Sequence, residues 1–225
     1  MKEIIRLEDV VKMLESGRRA VNGVSFSVSK GERVAIYGVP GSGKTTLARL
    51  IAGMERPSSG KVFVLEKAVH EMDADTAAAF RSLHIGLLQR HSAFMESLTV
   101  LENVAMPLTI QGIPSKQREK AAKKQLKTLG LMHTVNASPT QLSAMEAKLV
   151  SIARALIAQP QILLLDDAAA DLPEKDVEQI KGILRALSQF GEWTFLEFSE
   201  EKNGLICADR MMNLEHGKIR EESKQ

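Results

Sequence analysis

Residues 38–45 read Gly38-Val39-Pro40-Gly41-Ser42-Gly43-Lys44-Thr45. They satisfy the pattern G-x-x-x-x-G-K-[ST] at each fixed position. The preceding run, Val34-Ala35-Ile36-Tyr37, has the apolar, β-branched character of a buried strand. The following run, to Met54, has helical spacing. A glycine-rich turn without chemistry has no need of that context; a phosphate loop does. Glycines let successive backbone amides turn inward around phosphate oxygens. The helix start adds partial positive charge. Lys44 is then expected to reach the β- and γ-phosphates of a nucleotide, and the Thr45 hydroxyl to ligate Mg²⁺. Thr46 completes the expected nucleotide-binding set.

A second signal lies far downstream, in Ile162-Leu163-Leu164-Leu165-Asp166-Asp167. An apolar strand that ends in an acid places a carboxylate at the strand's carboxyl end, where Asp166 can hold Mg²⁺ through water. Alone, the pattern equally suits a strand-end turn with a helix-capping aspartate. A phosphate loop upstream favours the metal reading.

Around these two segments, short apolar runs alternate with longer helical ones. Strands are predicted over 24–28, 33–37, 62–65, 84–88, 161–165, 193–198 and 210–214. A terminal hairpin is predicted to join 211–214 to 218–220 through Glu215-His216-Gly217. Helices are predicted over 44–54, 101–110, 116–129, 143–158 and 174–190. Such alternation indicates an α/β sheet, partly parallel. The stretch from about 90 to 158 offers successive helices and no good strand, punctuated by Pro107, Pro114 and Pro139. It reads as a helical subdomain inserted into a sheet core of 1–89 and 159–225.

Composition bounds the rest. The chain has 225 residues, 44% apolar and 26% charged, which suits one α/β domain with a real core. Lys plus Arg is 30 against 28 acids, so nucleic acid is not an expected partner. Aromatic residues are only 4%, too few for base-stacking platforms. The single cysteine, Cys207, excludes an intramolecular disulfide and reads as a small core residue. No apolar run approaches the roughly 20 residues of a membrane span, so the expectation is a cytoplasmic chain without direct membrane insertion. The lysines of 116–127 read as a solvated helix face.

Further stretches carry a family resemblance. Val21-Asn22-Gly23-Val24-Ser25-Phe26-Ser27-Val28 followed by Gly31-Glu32, Ile85-Gly86-Leu87-Leu88-Gln89, Leu98 to Leu108, and Ser151-Ile152-Ala153-Arg154-Ala155-Leu156 together resemble an ATP-binding cassette ATPase over almost the whole chain. Leu98-Thr99-Val100-Leu101-Glu102-Asn103-Val104-Ala105-Met106-Pro107-Leu108 is similar to the branch that serves lipoprotein release, macrolide and antimicrobial-peptide export, and cell division. The resemblance implies an α/β P-loop fold with an N-terminal antiparallel sheet and an inserted helical subdomain. It implies ATP and Mg²⁺ as cofactors, with Gln89 beside Thr45 and Asp166 at the metal. It implies a second cassette, in a homodimer or heterodimer, and an integral-membrane permease that holds the chain at the inner face of the cell membrane.

The chain departs from the family pattern where the γ-phosphate is handled. The signature motif reads Leu142-Ser143-Ala144-Met145-Glu146, with Ser143 kept and both glycines replaced. The water-orienting glutamate is Asp167, shorter by one methylene. A withdrawal of about 1 Å can cost on the order of 10²-fold in rate. Pro173 stands at the D-loop aspartate, Ser199 at the switch histidine, and Met13 at the adenine-stacking aromatic. The resemblance therefore assigns Asp167, Gln89 and Ser199 as the catalytic positions, and Met13 and Ser143 as further nucleotide contacts. Two functions follow as expectations: an ATP-binding subunit that couples nucleotide binding to a permease, or a very slow or non-hydrolysing sensing or structural subunit.

Overall fold

Polar and apolar residues alternate along the first two strands, and each buries one face. β1 (Glu3–Met13) buries Ile5, Leu7 and Val10, and β2 (Arg19–Ser29) buries Val21, Val24, Phe26 and Val28. They pair antiparallel. β4 (Ser59–Val64) joins the other side of β1, and β5 (Lys67–Ala68) completes an antiparallel sheet in the order β2-β1-β4-β5. The computed structural model describes residues 2–190, 193–200, 202, 206 and 208–221.

The second sheet is built from shorter, more continuously apolar strands. These are β3 (Arg33–Tyr37), β6 (Ile85–Gln89), β7 (Ile162–Asp166), β8 (Thr194–Ser199), β9 (Arg210–Glu215) and β10 (Lys218–Glu221). Their order is β10-β9-β3-β8-β7-β6, all parallel except the terminal hairpin β9–β10. A parallel strand covered on both faces has no solvated side, which explains the unbroken Ile-Leu-Leu-Leu of β7. Ile162 and Leu164 point into a cluster with the antiparallel sheet and α1 (Lys44–Ile51). Leu163 and Leu165 point into a second cluster with α3 (Val100–Ile110), α4 (Ser115–Thr128), α5 (Ala144–Leu156) and α6 (Glu174–Phe190). The period of two thus assigns each strand residue to one of two cores.

Strand and helix boundaries differ from the sequence expectation by a few residues, with two larger differences. The whole of Glu3–Met13 is a strand. Residues 74–84 form a helix, α2 (Ala74–His84), so His84 ends a helix and the strand begins at Ile85. Its alanine-rich sequence buries only Ala77 and offers no apolar stripe to read, although Asp73 caps it by accepting from the Thr76 amide at 2.8 Å. α3 runs through Pro107, within the expected 101–110. Pro114 and Pro139 do sit at element starts.

α3, α4 and α5, which lie in the stretch expected to form a helical subdomain, pack against one another. On α4, Lys116, Lys120, Lys123, Lys124 and Lys127 are exposed, while Ala122 and Leu126 are buried. The terminal hairpin returns to the antiparallel sheet and to the glycine loop. The Asn22 amide donates to the Gly217 carbonyl at 2.8 Å, and the Gly217 amide to the Ser42 carbonyl at 3.2 Å. Among the described residues no helix is long and apolar enough to cross a membrane. Cys207 lies outside the described residues.

Candidate functional site

The glycine loop connects β3 to α1, and its neighbours leave no room for side chains. A Cβ on Gly43 would stand 2.1 Å from the Ala20 carbonyl oxygen, and one on Gly38 would stand 2.2 Å from that of Leu214. Gly43, at φ 112°, also has a backbone that other residues adopt only under strain. The loop is therefore fixed from below by β2 and β9. Val39 and Pro40 are exposed at its rim, and Thr46 is half-buried in the first turn of α1.

Lys44 is buried, and its ammonium donates to the carbonyl oxygens of Gly38 at 2.7 Å and Val39 at 3.2 Å. The Ser42 hydroxyl is buried in the same loop and has no hydrogen-bond partner. A buried, unpaired hydroxyl beside a buried ammonium and a glycine cradle is a donor set that an oxyanion would satisfy. No side chain caps α1, since its N-cap is Gly43. Its first amides are therefore free of an internal acceptor.

The carboxylates sit across from this loop at the end of β7. The Thr45 hydroxyl donates to Asp166 Oδ1 at 3.2 Å. Burial pushes the Asp166 carboxyl above its ordinary value, and the hydrogen bond from Thr45 and the charge of Lys44 act against that rise. Burial likewise pushes Asp167 up; Lys44 opposes it, while Glu200 and Asp166 add to it. Two desolvated carboxyls beside a threonine hydroxyl fit a hard divalent cation with oxygen ligands. Gln89 ends β6 in register with Asp166, and Ser199 ends β8 in register with Tyr37. The Ser199 carbonyl accepts from the Gly38 amide at 3.1 Å. Lys44, Thr45, Gln89, Asp166, Asp167 and Ser199 thus gather at the carboxyl ends of β3, β6, β7 and β8, where parallel sheets place their ligands.

Met13 and Ser143 are placed differently. Met13 ends β1 with its side chain half exposed, and its amide donates to the Ser58 hydroxyl at 3.0 Å. On the loop between β1 and β2, the Arg18 guanidinium comes within 3.5 Å of the Gly41 carbonyl. Ser143 is the N-cap of α5, in the helical subdomain, and shares no described hydrogen bond with the glycine loop. Its hydroxyl donates to Glu146 Oε2 at 2.8 Å, and its amide donates to the same oxygen at 2.9 Å. His133 Nε2 lies 2.8 Å from the other oxygen, Glu146 Oε1. His133 first, and the Ser143 amide next, hold the Glu146 carboxyl down at about 2. Met145 is half-buried and packs against the helical cluster.

Sequence reasoning missed a group of charged residues on the same side. Arg90 follows Gln89 and forks onto Asp171, with Nε and Nη2 each 3.0 Å from a carboxylate oxygen. Its Nη1 donates to Glu200 at 2.6 Å. Lys148, buried in α5, donates to the carbonyl oxygens of Gln89 at 3.0 Å and Arg90 at 2.5 Å. These partners are far apart in the chain, and no local motif points to them.

Comparison with known proteins bears on this arrangement. Residues 21–170 match the family model described as ABC transporter. The chain is 35% identical over 202 residues to the lipoprotein-releasing system ATP-binding protein LolD of Colwellia psychrerythraea, covering 90% of this chain and 78% of that one. It is 34% identical over 220 residues to the methionine import ATP-binding protein MetN of Brucella abortus, of which it spans 59%. A solved dimer of the ATP-binding cassette MJ0796, in a post-hydrolysis state with ADP and Pi, is similar in structure. It shows a TM-score of 0.88 and 30% identity, with 97% of this chain and 98% of that one covered.

Proposed function

The chain belongs to the ABC transporter family as an ATP-binding cassette, and from that premise we propose that it binds ATP with Mg²⁺ and couples that binding to a membrane permease. The observation that carries this reading is the glycine loop itself. Gly38 and Gly43 allow no Cβ, Lys44 is buried over the loop, and Ser42 keeps an unpaired hydroxyl there. In this reading Gly38 to Thr46 hold the phosphates, while Thr45, Asp166 and Gln89 hold the metal. The bound nucleotide supplies a terminal phosphoryl group whose transfer to water releases free energy. Asp167 and Ser199 face that end, and Met13 and Arg18 flank the end where the base would lie. The similarity to a dimeric cassette supports a second copy or homologue as partner, with Ser143 of each chain directed to the other's nucleotide.

The permease contact fits a groove between α2 and α3, lined by Arg81, Leu87, Gln89, Met106, Pro107 and Arg154. It opens beside Gln89, so a helix docked there would touch the metal site's own strand. This reading puts the chain at the inner face of the membrane through its partner.

Turnover in this reading is very slow. The specific observation is that the signature serine, which would meet the γ-phosphate of a second cassette, is already engaged within its own helix start. The Ser143 hydroxyl donates to Glu146 Oε2 at 2.8 Å. A purely structural role draws no support from the transport relatives, whose names are those of ATP-binding subunits.

Calorimetry with ATP and Mg²⁺ tests the binding. Lys44→Ala removes charge-assisted hydrogen bonds and is expected to lower affinity by about 10- to 100-fold. Equal affinities in the two proteins would overturn the proposal.

A further inference from the structure

Four carboxylates and three cations meet beside the carboxyl ends of β6, β7 and β8. Asp166 and Asp167 face Thr45 and Lys44, as described above. Asp171 and Glu200 are both taken by Arg90. Among the described residues, Arg90 is therefore a side chain that joins the loop after β6, the loop after β7 and the end of β8.

The loop after β7 is conformationally demanding. Asp167 has φ 48° and Asp171 has φ 63°, both left-handed, with Ala168, Ala169 and Ala170 between them. Aspartate tolerates this region better than most residues, but each such position costs stability unless its surroundings hold it. Asp167 is held by the Glu200 amide on its side chain and by the Phe198 carbonyl, which accepts from its backbone amide at 2.9 Å. Asp171 is held by the two-pronged contact with Arg90. His91 Nδ1 also approaches Asp171, at 3.5 Å. Arg90 in turn starts from an anchored backbone, because Lys148 holds the carbonyls of Gln89 and Arg90. A relay follows: Lys148 fixes the backbone of Arg90, Arg90 fixes Glu200, and the amide of Glu200 fixes the carboxylate of Asp167.

We propose that Arg90 is a positioning residue for ATP hydrolysis, which sets the Asp167 carboxylate through Glu200 and sets its loop through Asp171. The proposal rests on the nucleotide-binding reading above. Its physical basis is distance. Asp167 is a short acid at a position where the reacting water must be oriented, and about 1 Å of drift costs on the order of 10²-fold. A short side chain on a left-handed backbone gains precision only from what pins it. Arginine suits the task because its planar fork satisfies one carboxylate with two parallel bonds while a third donor reaches another.

The test is single-turnover hydrolysis of radiolabelled ATP with the full chain in excess, followed over hours, with ATP affinity measured in parallel by calorimetry. Arg90→Ala is expected to lower the single-turnover rate by about 10- to 100-fold while changing ATP affinity by less than about threefold. Arg90→Lys is expected to fall between, since an ammonium can hold Glu200 but cannot fork onto Asp171. Millimolar guanidinium is expected to restore part of the rate in Arg90→Ala and none in Arg90→Lys. A merely structural ion pair would lower the melting temperature without that rescue. Four results overturn the inference: a rate within twofold of wild type in Arg90→Ala, a matching loss of ATP affinity, no rescue by guanidinium, or no wild-type hydrolysis above buffer. Failure of the nucleotide-binding reading looks different, since the wild type would then show no calorimetric signal with ATP.

Discussion

Gly43 and Ser143 stand at the starts of two helices, α1 and α5, and the two starts are finished in opposite ways. At α1 no side chain caps the helix, and the loop before it is shaped by backbone contacts with Ala20 and Leu214. At α5 the chain supplies its own anion. Glu146 and Ser143 form a reciprocal capping box, and His133 holds the far oxygen of the same carboxylate. A helix start attracts negative charge from whatever source is available. The first therefore stays open to an external oxyanion, and the second is already filled from within. Backbone and glycine build a site that is hard to alter without losing it. Side chains build one that can be redirected to an internal partner by single substitutions.

The largest expected effect breaks the first half of this comparison. Gly43→Ala places a methyl group 2.1 Å from a carbonyl oxygen at φ 112°. It is expected to abolish ATP binding and to cost more than about 3 kcal/mol of stability. Urea unfolding and calorimetry measure both, and a variant that folds and binds normally would mean the loop is not fixed from below.

A smaller effect sharpens the second half. Asp167→Glu with Ser199→His is expected to raise turnover by about tenfold in steady-state phosphate release. Adding Ala144→Gly and Met145→Gly is expected to raise it again, with melting temperature as the control because Met145 packs in the helical cluster. A wild-type rate within about tenfold of the common enzyme median near 10 s⁻¹ would contradict the slow-turnover reading.

The smallest effect is one of pH. Glu146 is held at about 2 in the folded chain, against an ordinary value of 4.5. A depressed carboxyl stabilises the fold above its unfolded value and loses that contribution as pH falls through the folded value. Glu146→Gln keeps the cap and removes the charge, so it is expected to be less stable than wild type at pH 7, by under about 1 kcal/mol. Melting temperatures of the two should converge between about pH 4.5 and 2. A gap that stays constant over that range would show that Glu146 carries no such charge-dependent hold on α5.

What could be read from the sequence follows the same division. The glycine loop was legible because its chemistry is local, with eight consecutive residues carrying strand end, cradle and helix start. β7 was legible because a strand buried on both faces must be apolar throughout. α2 was not, because an alanine-rich helix on the surface has neither stripe nor strand alternation. The clamp around Arg90 was invisible for another reason: its partners lie 81 and 110 residues away, and no spacing rule links them. At the replaced signature glycines, Met145 is half-buried and packs against the helical cluster, a contact that the local sequence does not announce. Ser143 is expected to contact a nucleotide held by a second cassette, and within this chain its hydroxyl donates to Glu146.

β3, which carries the glycine loop, has β8 and β9 as its two neighbours in the sheet. Both come from the last third of the chain. The turn that touches Ser42 comes later still, at Gly217. During synthesis on the ribosome, residues 38–45 therefore emerge long before the strands that flank them, and the residues that deny space to Gly38 and Gly43 arrive at opposite times. Ala20 is already present, while Leu214 is made long after the loop. Until then the nascent chain carries the complete phosphate motif without its flanking strands. It acquires a cradle with a defined shape only when β8, β9 and the final turn have closed around it.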